Sequence, residues 1–232
     1  TSSLAFPPTS FSFRWFAKFL HEPELMHSLG FSFALAIGSS LISLTVGGVA
    51  AFGLVRGRSH WNRAMQNTLM LPLMVPALIG AMAFLQYFTL LGTPSMFALL
   101  IGHVIITLPY VVRTFSASLQ HFDISLENAA VSLGAPRVAA IRLVTLPALR
   151  NSVIASALFS FIISFENLPV ALFLSGPSTV TLPLRIYSYI QWVFDPTVAA
   201  ASAIQVVVVV VLVFAVEKMV GLNSFIGLKQ EG

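Results

Sequence analysis

Five runs of the chain stay apolar long enough to cross a bilayer, at about residues 29–55, 65–91, 95–119, 151–174 and 198–220. About 20 predominantly apolar residues make a spanning helix, so the pattern predicts an all-α, polytopic transmembrane bundle in a single domain, 1–232. The runs differ in kind. The first is rich in Ser and Gly, including Gly47, Gly48 and Gly53, which favours close helix packing in lipid. The second carries Pro72 and Pro76, read as packing kinks rather than hinges, and ends in the tight turn Gly92-Thr93-Pro94. The fifth is almost unbroken Val and Ala. Between the fourth and fifth, residues 175–197 read as a mixed loop containing Pro177, Pro183 and Pro196. Ahead of the first, residues 1–28 interleave Phe13, Trp15, Phe16 and Phe19 with Arg14, Lys18 and His21. That segment reads either as an outer amphipathic helix on the membrane surface or as an ordinary ordered tail.

The polar interval at 120–150 is different. Within it, residues 122–147 (FDISLENAAVSLGAPRVAAIRLVTLP) form the longest run patterned as water-exposed helix. Asp123 or Ser125 can cap a helix start, and Ala129, Ala130 and Leu133 make a small apolar stripe. Gly134 supplies a C-terminal stop, and Pro136 suits the first turn of a second helix. That second helix is expected to place Val138, Ile141 and Val144 on one side, with Arg137 and Arg142 outside it, and to end near Pro147. The spacing predicts two short helices at an angle, whose small residues let another backbone come close.

Composition adds orientation and narrows the chemistry. Hydrophobic residues make up 57% of the 232 and charged residues 9%, with mean hydropathy +0.90. A soluble domain is about one quarter charged, so this is a membrane protein. Of the 12 Lys and Arg, nine (Arg56, Arg58, Arg63, Arg113, Arg137, Arg142, Arg150, Lys218 and Lys229) fall on the side of the 120–150 interval. Only Arg14, Lys18 and Arg185 fall on the other. This bias puts the interval and the C-terminus in the cytoplasm and Thr1 outside; one further span before Thr1 is then expected. The absence of cysteine excludes disulfides and thiolate metal sites. No phosphate-binding Gly-x4-Gly-Lys-Ser/Thr loop is present, so ATP hydrolysis and cofactor binding are not expected of this chain. His103 and His121 are too isolated for a metal site. The arginines cluster at span ends, which orientation explains without nucleic acid.

The 122–147 stretch resembles the cytoplasmic coupling loop of ATP-binding-cassette (ABC) importer permeases, whose pattern runs Glu-Ala-Ala, Gly-Ala, an apolar residue, Leu-Pro. Ala129, Ala130, Gly134, Ala135, Ile141, Leu146 and Pro147 fall on it in register. The pattern's glutamate meets Asn128, with Glu127 one position earlier. The resemblance implies the type I importer permease fold, usually of six spans. It also implies two ABC ATPase subunits holding ATP and Mg, a second permease subunit (usually a different chain), and an extracytoplasmic solute-binding protein. Glu127, Asn128, Ala129, Ala130, Leu133, Gly134, Ala135, Ile141, Leu146 and Pro147 would then be the ATPase-coupling residues, in a bacterial inner membrane.

Within the spans, Glu166 in SFENLP stands out. A carboxylate in a span costs at least about 2.5–3.5 kcal/mol on insertion scales, so it should face a translocation path or pair with a polar group on a neighbouring helix. Asn167 and Ser164 lie beside it, and Pro169 frees a backbone carbonyl nearby, so together they can form a polar notch. His103 reads as a binding residue or a packing histidine, and Gln86 and Tyr87 as further path candidates. Tyr187, Tyr189 and Trp192 read as an interfacial aromatic belt or as a contact for the solute-delivering protein. Residues 108–118 and the run beginning SFENLP look like the spermidine/putrescine-type permeases, a similarity covering about residues 10–220. That subgroup tends to carry two adjacent acids where this chain has Glu166 and Asn167. Polyamines, aminophosphonates and ferric iron are the solutes the resemblance implies. The competing class is an ion-gradient-driven secondary transporter, which calls for more intramembrane charge and a paired internal repeat.

Overall fold

The computed structural model describes residues 13–57, 60–192 and 196–220, and every regular element among them is helical. A short α1 (Arg14–His21) precedes the longest helix, α2 (Pro23–Arg56). Next come α3 (Asn62–Met74), α4 (Ala77–Leu90) and α5 (Ser95–His121). Four short pieces build a corner: α6 (Ile124–Ser132), α7 (Arg137–Ala140), a π-helical turn (Ile141–Thr145) and α8 (Leu146–Ala148). The chain continues through α9 (Arg150–Phe165), α10 (Leu168–Leu174), α11 (Leu182–Trp192) and α12 (Thr197–Val220). Among the described residues, α2, α5 and α12 are each long and apolar enough to cross a membrane alone. The pairs α3–α4 and α7–α8 with α9 pass the same test as bent units.

The bundle is organised around α2. Pro23 opens it at a position where the missing N–H has no helical partner to lose. At 1.5 Å per residue it is about 50 Å long, longer than the roughly 30 Å hydrocarbon layer. Its buried face is a stripe of small residues, Ser28, Ser32, Ser39, Ser43, Gly47 and Ala51. The serines reach one helix after another. Ser32 Oγ accepts from the Leu182 amide of α11 at 2.7 Å, Ser39 Oγ donates to Ser164 Oγ of α9 at 2.9 Å, and Ser43 and Thr107 of α5 share a hydrogen bond of 2.7 Å. At Gly47 the backbones come so close that a Cβ would stand 2.9 Å from Val111 Cγ1.

Two turns rest on glycine. Gly92 and Gly134 have φ of 62° and 92°. Each ends its helix with the same paired bonds, Thr93 N–H to Phe88 O and Ala135 N–H to Ala130 O being the longer-range members.

Three features depart from the sequence expectations. Residues 175–197 contain a real helix, α11, whose Leu182, Ile186 and Tyr189 recur at helical spacing and pack with Phe19, Leu25 and Ala201. The expected kink near Pro76 is a full break, with α3 and α4 meeting at 105°. Proline drives the residue before it out of helical geometry, and Val75 is extended at φ −86°, ψ 130°. The fourth run is likewise two helices, α9 and α10, parted at Glu166 and Asn167. In the 1–28 segment, residues 1–12 lie outside the described residues; α1 covers 14–21, and 23–28 already belong to α2. Arg58 and Lys229, used in the charge count, also lie outside the described residues.

Candidate coupling surface and translocation cleft

The corner after α5 is held by local capping. Of the two candidate caps, Asp123 serves: its Oδ1 accepts the Ser125 amide at 2.9 Å, which also holds its carboxyl below the usual carboxylate range. α6 turns most of its surface outward. Asn128, Ala129 and Gly134 are exposed, Ala130 and Ala135 half-buried, and Leu133 is 90% exposed. Leu126, Val138 and Leu143 add exposed apolar area around it, and Leu146 and Pro147 are exposed further on. Val138 therefore does not share a buried side with Ile141 and Val144, which are half-buried. The π-helical turn from Ile141 to Thr145 adds a residue to the turn and shifts the phase of everything after it.

Glu127 is the exception on α6. It is the only buried residue of that helix, at 8% exposure, and it points into the bundle. Its Oε2 accepts from Arg56 Nη1 of α2 at 2.5 Å and from the Thr145 hydroxyl at 2.6 Å. Burial pushes the carboxyl pKa up. The hydrogen bonds from Arg56 and Thr145 and the charges of Arg56 and Arg137 outweigh it and leave the pKa below the ordinary value. Glu127 therefore lies on the inner side of α6, while Asn128 is on its exposed side. In the sequence Arg56 reads only as one of the basic residues that set orientation, and Thr145 as an ordinary loop residue; neither carries a signal of this contact.

The second candidate site is a cleft of about 630 Å³ where two broken helices meet. Leu71, Pro72 and Val75 approach it from the end of α3, Ala77 and Gly80 from the start of α4, and Tyr110 from α5. Ile163, Asn167 and Val170 flank the α9–α10 break on the same cleft. Asn167 is the N-cap of α10, its Oδ1 accepting the Val170 amide at 2.9 Å. Glu166 is exposed at this break, directly before Asn167 in the chain, and is not itself among the residues that line the cleft.

The other path candidates are elsewhere. Ser164 is buried against Ser39 of α2. His103 is fully buried, its Nδ1 2.9 Å from Leu99 O, and takes no part in the cleft. Gln86 and Tyr87 are exposed on α4 and do not line it either. Thr68, Phe84 and Tyr110 do. Only Tyr110, directly after the intrahelical Pro109, had a sequence signal that could have pointed to it.

Comparison with known proteins gives a consistent result. Residues 43–221 match the family described as "binding-protein-dependent transport system inner membrane component". The chain is 33% identical over 204 residues to the spermidine/putrescine transport system permease protein PotC of Haemophilus influenzae, covering 88% of this chain and 79% of that one. It is 29% identical over 201 residues to the putrescine transport system permease protein PotI of Escherichia coli, covering 83% and 72%. Among solved structures, a bacterial ABC transporter involved in import of the acidic polysaccharide alginate superposes with a TM-score of 0.74 at 17% identity, covering 93% of this chain and 85% of that one. The MetNI methionine ABC transporter in inward-facing form gives 0.71 at 16%, covering 86% and 97%.

Proposed function

Because this chain belongs to the family of binding-protein-dependent transport system inner membrane components, the multi-pass permease subunits of ABC importers, we propose that it forms half of a translocation path for a small amine cation. The observation that carries the reading is the meeting of two broken helices at one cleft, with the exposed Glu166 at one of the two breaks, next to the cleft-lining Asn167. Broken helices at membrane depth are tolerated where they line a cavity or are covered by protein. A carboxylate at that depth suits a cationic solute, which offsets the cost of placing it there. Relatives named for spermidine and putrescine transport support the amine. Asn167 in place of a second acid caps α10, so this half of the path offers one carboxylate, and a second permease of different sequence supplies the rest.

The exposed face of α6 and its neighbours, with Asn128, Ala129, Ala130, Leu133, Gly134 and Ala135, is the surface an ABC ATPase receives. Two such ATPases hold ATP and Mg, and their closure moves the corner against the spans. A solute-binding protein outside a bacterial inner membrane delivers the solute. The coupling is a two-state element biased from two sites.

The test is uptake by the purified complex in lipid vesicles with a matched binding protein, ATP being supplied on one side at a time. Putrescine, spermidine, an aminophosphonate and ferric iron make the panel. ATP-driven uptake of an amine that falls with Glu166→Gln supports the reading. Uptake that ignores ATP and collapses with the ion gradient overturns it in favour of secondary transport. ATP-driven uptake of ferric iron or of the aminophosphonate, with no amine response, overturns the solute class alone.

A further inference from the structure

We propose that Arg56 and Glu127, with the Thr145 hydroxyl, are positioning residues that carry displacement of α6 into α2, and so set how much solute each ATP cycle moves. The inference rests on reading residues 122–147 as the ATPase-coupling surface and assigns the inner side of that surface.

α6 is nine residues long, and its only buried side chain is Glu127. A helix so short and so exposed has little stability of its own and transmits only through what grips it. Two donors grip one oxygen: Arg56 Nη1 from α2 and Thr145 Oγ1 from the π-helical turn both reach Glu127 Oε2. Charge-assisted bonds of this kind are short and directional, and removing one partner strands the other charge.

Arg56 is itself held. Its guanidinium lies 5.3 Å from the Phe52 ring of α2 and 5.9 Å from the ring of Phe122, which precedes the Asp123 cap. Both rings pack on the cluster of Ala51, Val111, Phe115, Leu119 and Leu149. Just beyond Arg56, the Asn62 side chain donates through Nδ2 to Leu54 O and Gly57 O and closes the end of α2. The wider π turn brings Thr145, fully buried, to the same carboxylate. From Arg56 onward the route is α2, whose serine and glycine stripe is locked to α5 and α9. A push on the outer face of α6 thus reaches α2 through one ion pair.

The decisive quantity is ATP hydrolysed per solute imported, measured with the whole complex in vesicles and putrescine as solute. Glu127→Gln keeps the shape and removes the charge. ATPase subunits should still copurify with it, while the ratio rises by roughly fivefold or more, the size of a modest coupling free energy. The exchange Arg56→Glu with Glu127→Arg should bring the ratio back toward wild type. ATP-driven wild-type uptake with an unchanged ratio in Glu127→Gln overturns this proposal alone. Loss of ATPase subunits from Glu127→Gln with a normal ratio in what remains also overturns it. Wild-type uptake independent of ATP overturns the coupling reading and this proposal together. Should Glu127→Gln fail to assemble, the cysteine-free sequence allows a second route. Arg56→Cys with Glu127→Cys, joined by a short bismaleimide, should couple when linked and slip when unlinked. Equal ratios in the two states overturn the proposal.

Discussion

α2 and α12 are both single, continuous spans, yet they sit in the molecule in opposite ways. The more apolar is α12, with mean hydropathy 2.7 in its best stretch against 1.8 for α2, but 11% of that stretch is buried against 33% in α2. In water the order would be reversed, because apolar surface is driven inward. In lipid the surroundings are as apolar as any core, so burial goes to the helix that fits its neighbours most closely. α2 fits because its stripe is Ser, Gly and Ala; the branched side chains of α12, such as Val206, Val207 and Val211, stand exposed. A polar-looking stripe here marks the centre, and pure hydrophobicity marks the rim.

The same added leucine should therefore break one helix and not the other. Gly47→Leu drives a side chain into Val111, a stiff β-branched neighbour, and should cost about 3 kcal/mol or more. Loss of the monodisperse peak in size-exclusion chromatography would report it. The grip at the basic end of α2 should be next in size. Thr145→Val removes one of two donors to Glu127 and should cost about 2 kcal/mol by thermal unfolding in detergent.

That grip also has a pH signature. The Glu127 carboxyl lies below its ordinary value of 4.5 in the folded protein, so its contribution is complete above about pH 4.5 and fades as pH falls through the lowered value. The gap in melting temperature between wild type and Glu127→Gln should be constant from neutral pH down to about 4.5 and narrow as the pH falls through the lowered value; a gap that widens toward acid would contradict the assignment. Ser43→Ala, which loses one interhelical hydroxyl bond in lipid, should cost only about 0.6 kcal/mol. Val211→Leu, at a position 58% exposed on α12, should leave the melting curve where it was. If it destabilised as much as Gly47→Leu, the contrast between the two helices would be wrong.

Much of this arrangement can be read along the chain, because length, apolarity and turn chemistry are local. The long apolar runs, the Gly92 and Gly134 stops and the Asp123 cap are of this kind. What escapes is decided by partners far away. Nothing near Glu127 says that it turns inward, since Arg56 lies 71 positions earlier. The π-helical turn has no residue signature, and the expected grouping of Val138 with Ile141 and Val144 fails because Val138, in the short helix before that turn, stands exposed. Ser164 and Asn167 are three residues apart, yet one packs on α2 and the other lines the cleft, because the helix ends between them. α11 was hidden by Pro183, which reads as a loop signal but here lies at the start of a helix.

The 105° break between α3 and α4 has a bearing on how the protein is made. It leaves the last carbonyls of α3 and the first amides of α4 without helical partners, and none of the described side chains of α3 is buried. Each such group costs several kcal/mol when left to hydrocarbon, against a total stability of about 5–15 kcal/mol for a typical fold. In the pairing proposed above, a copy newly released into the bilayer and still alone would carry a face that the membrane cannot solvate. Under that reading pairing would be the last step of folding, and an orphan copy a natural substrate for membrane quality control.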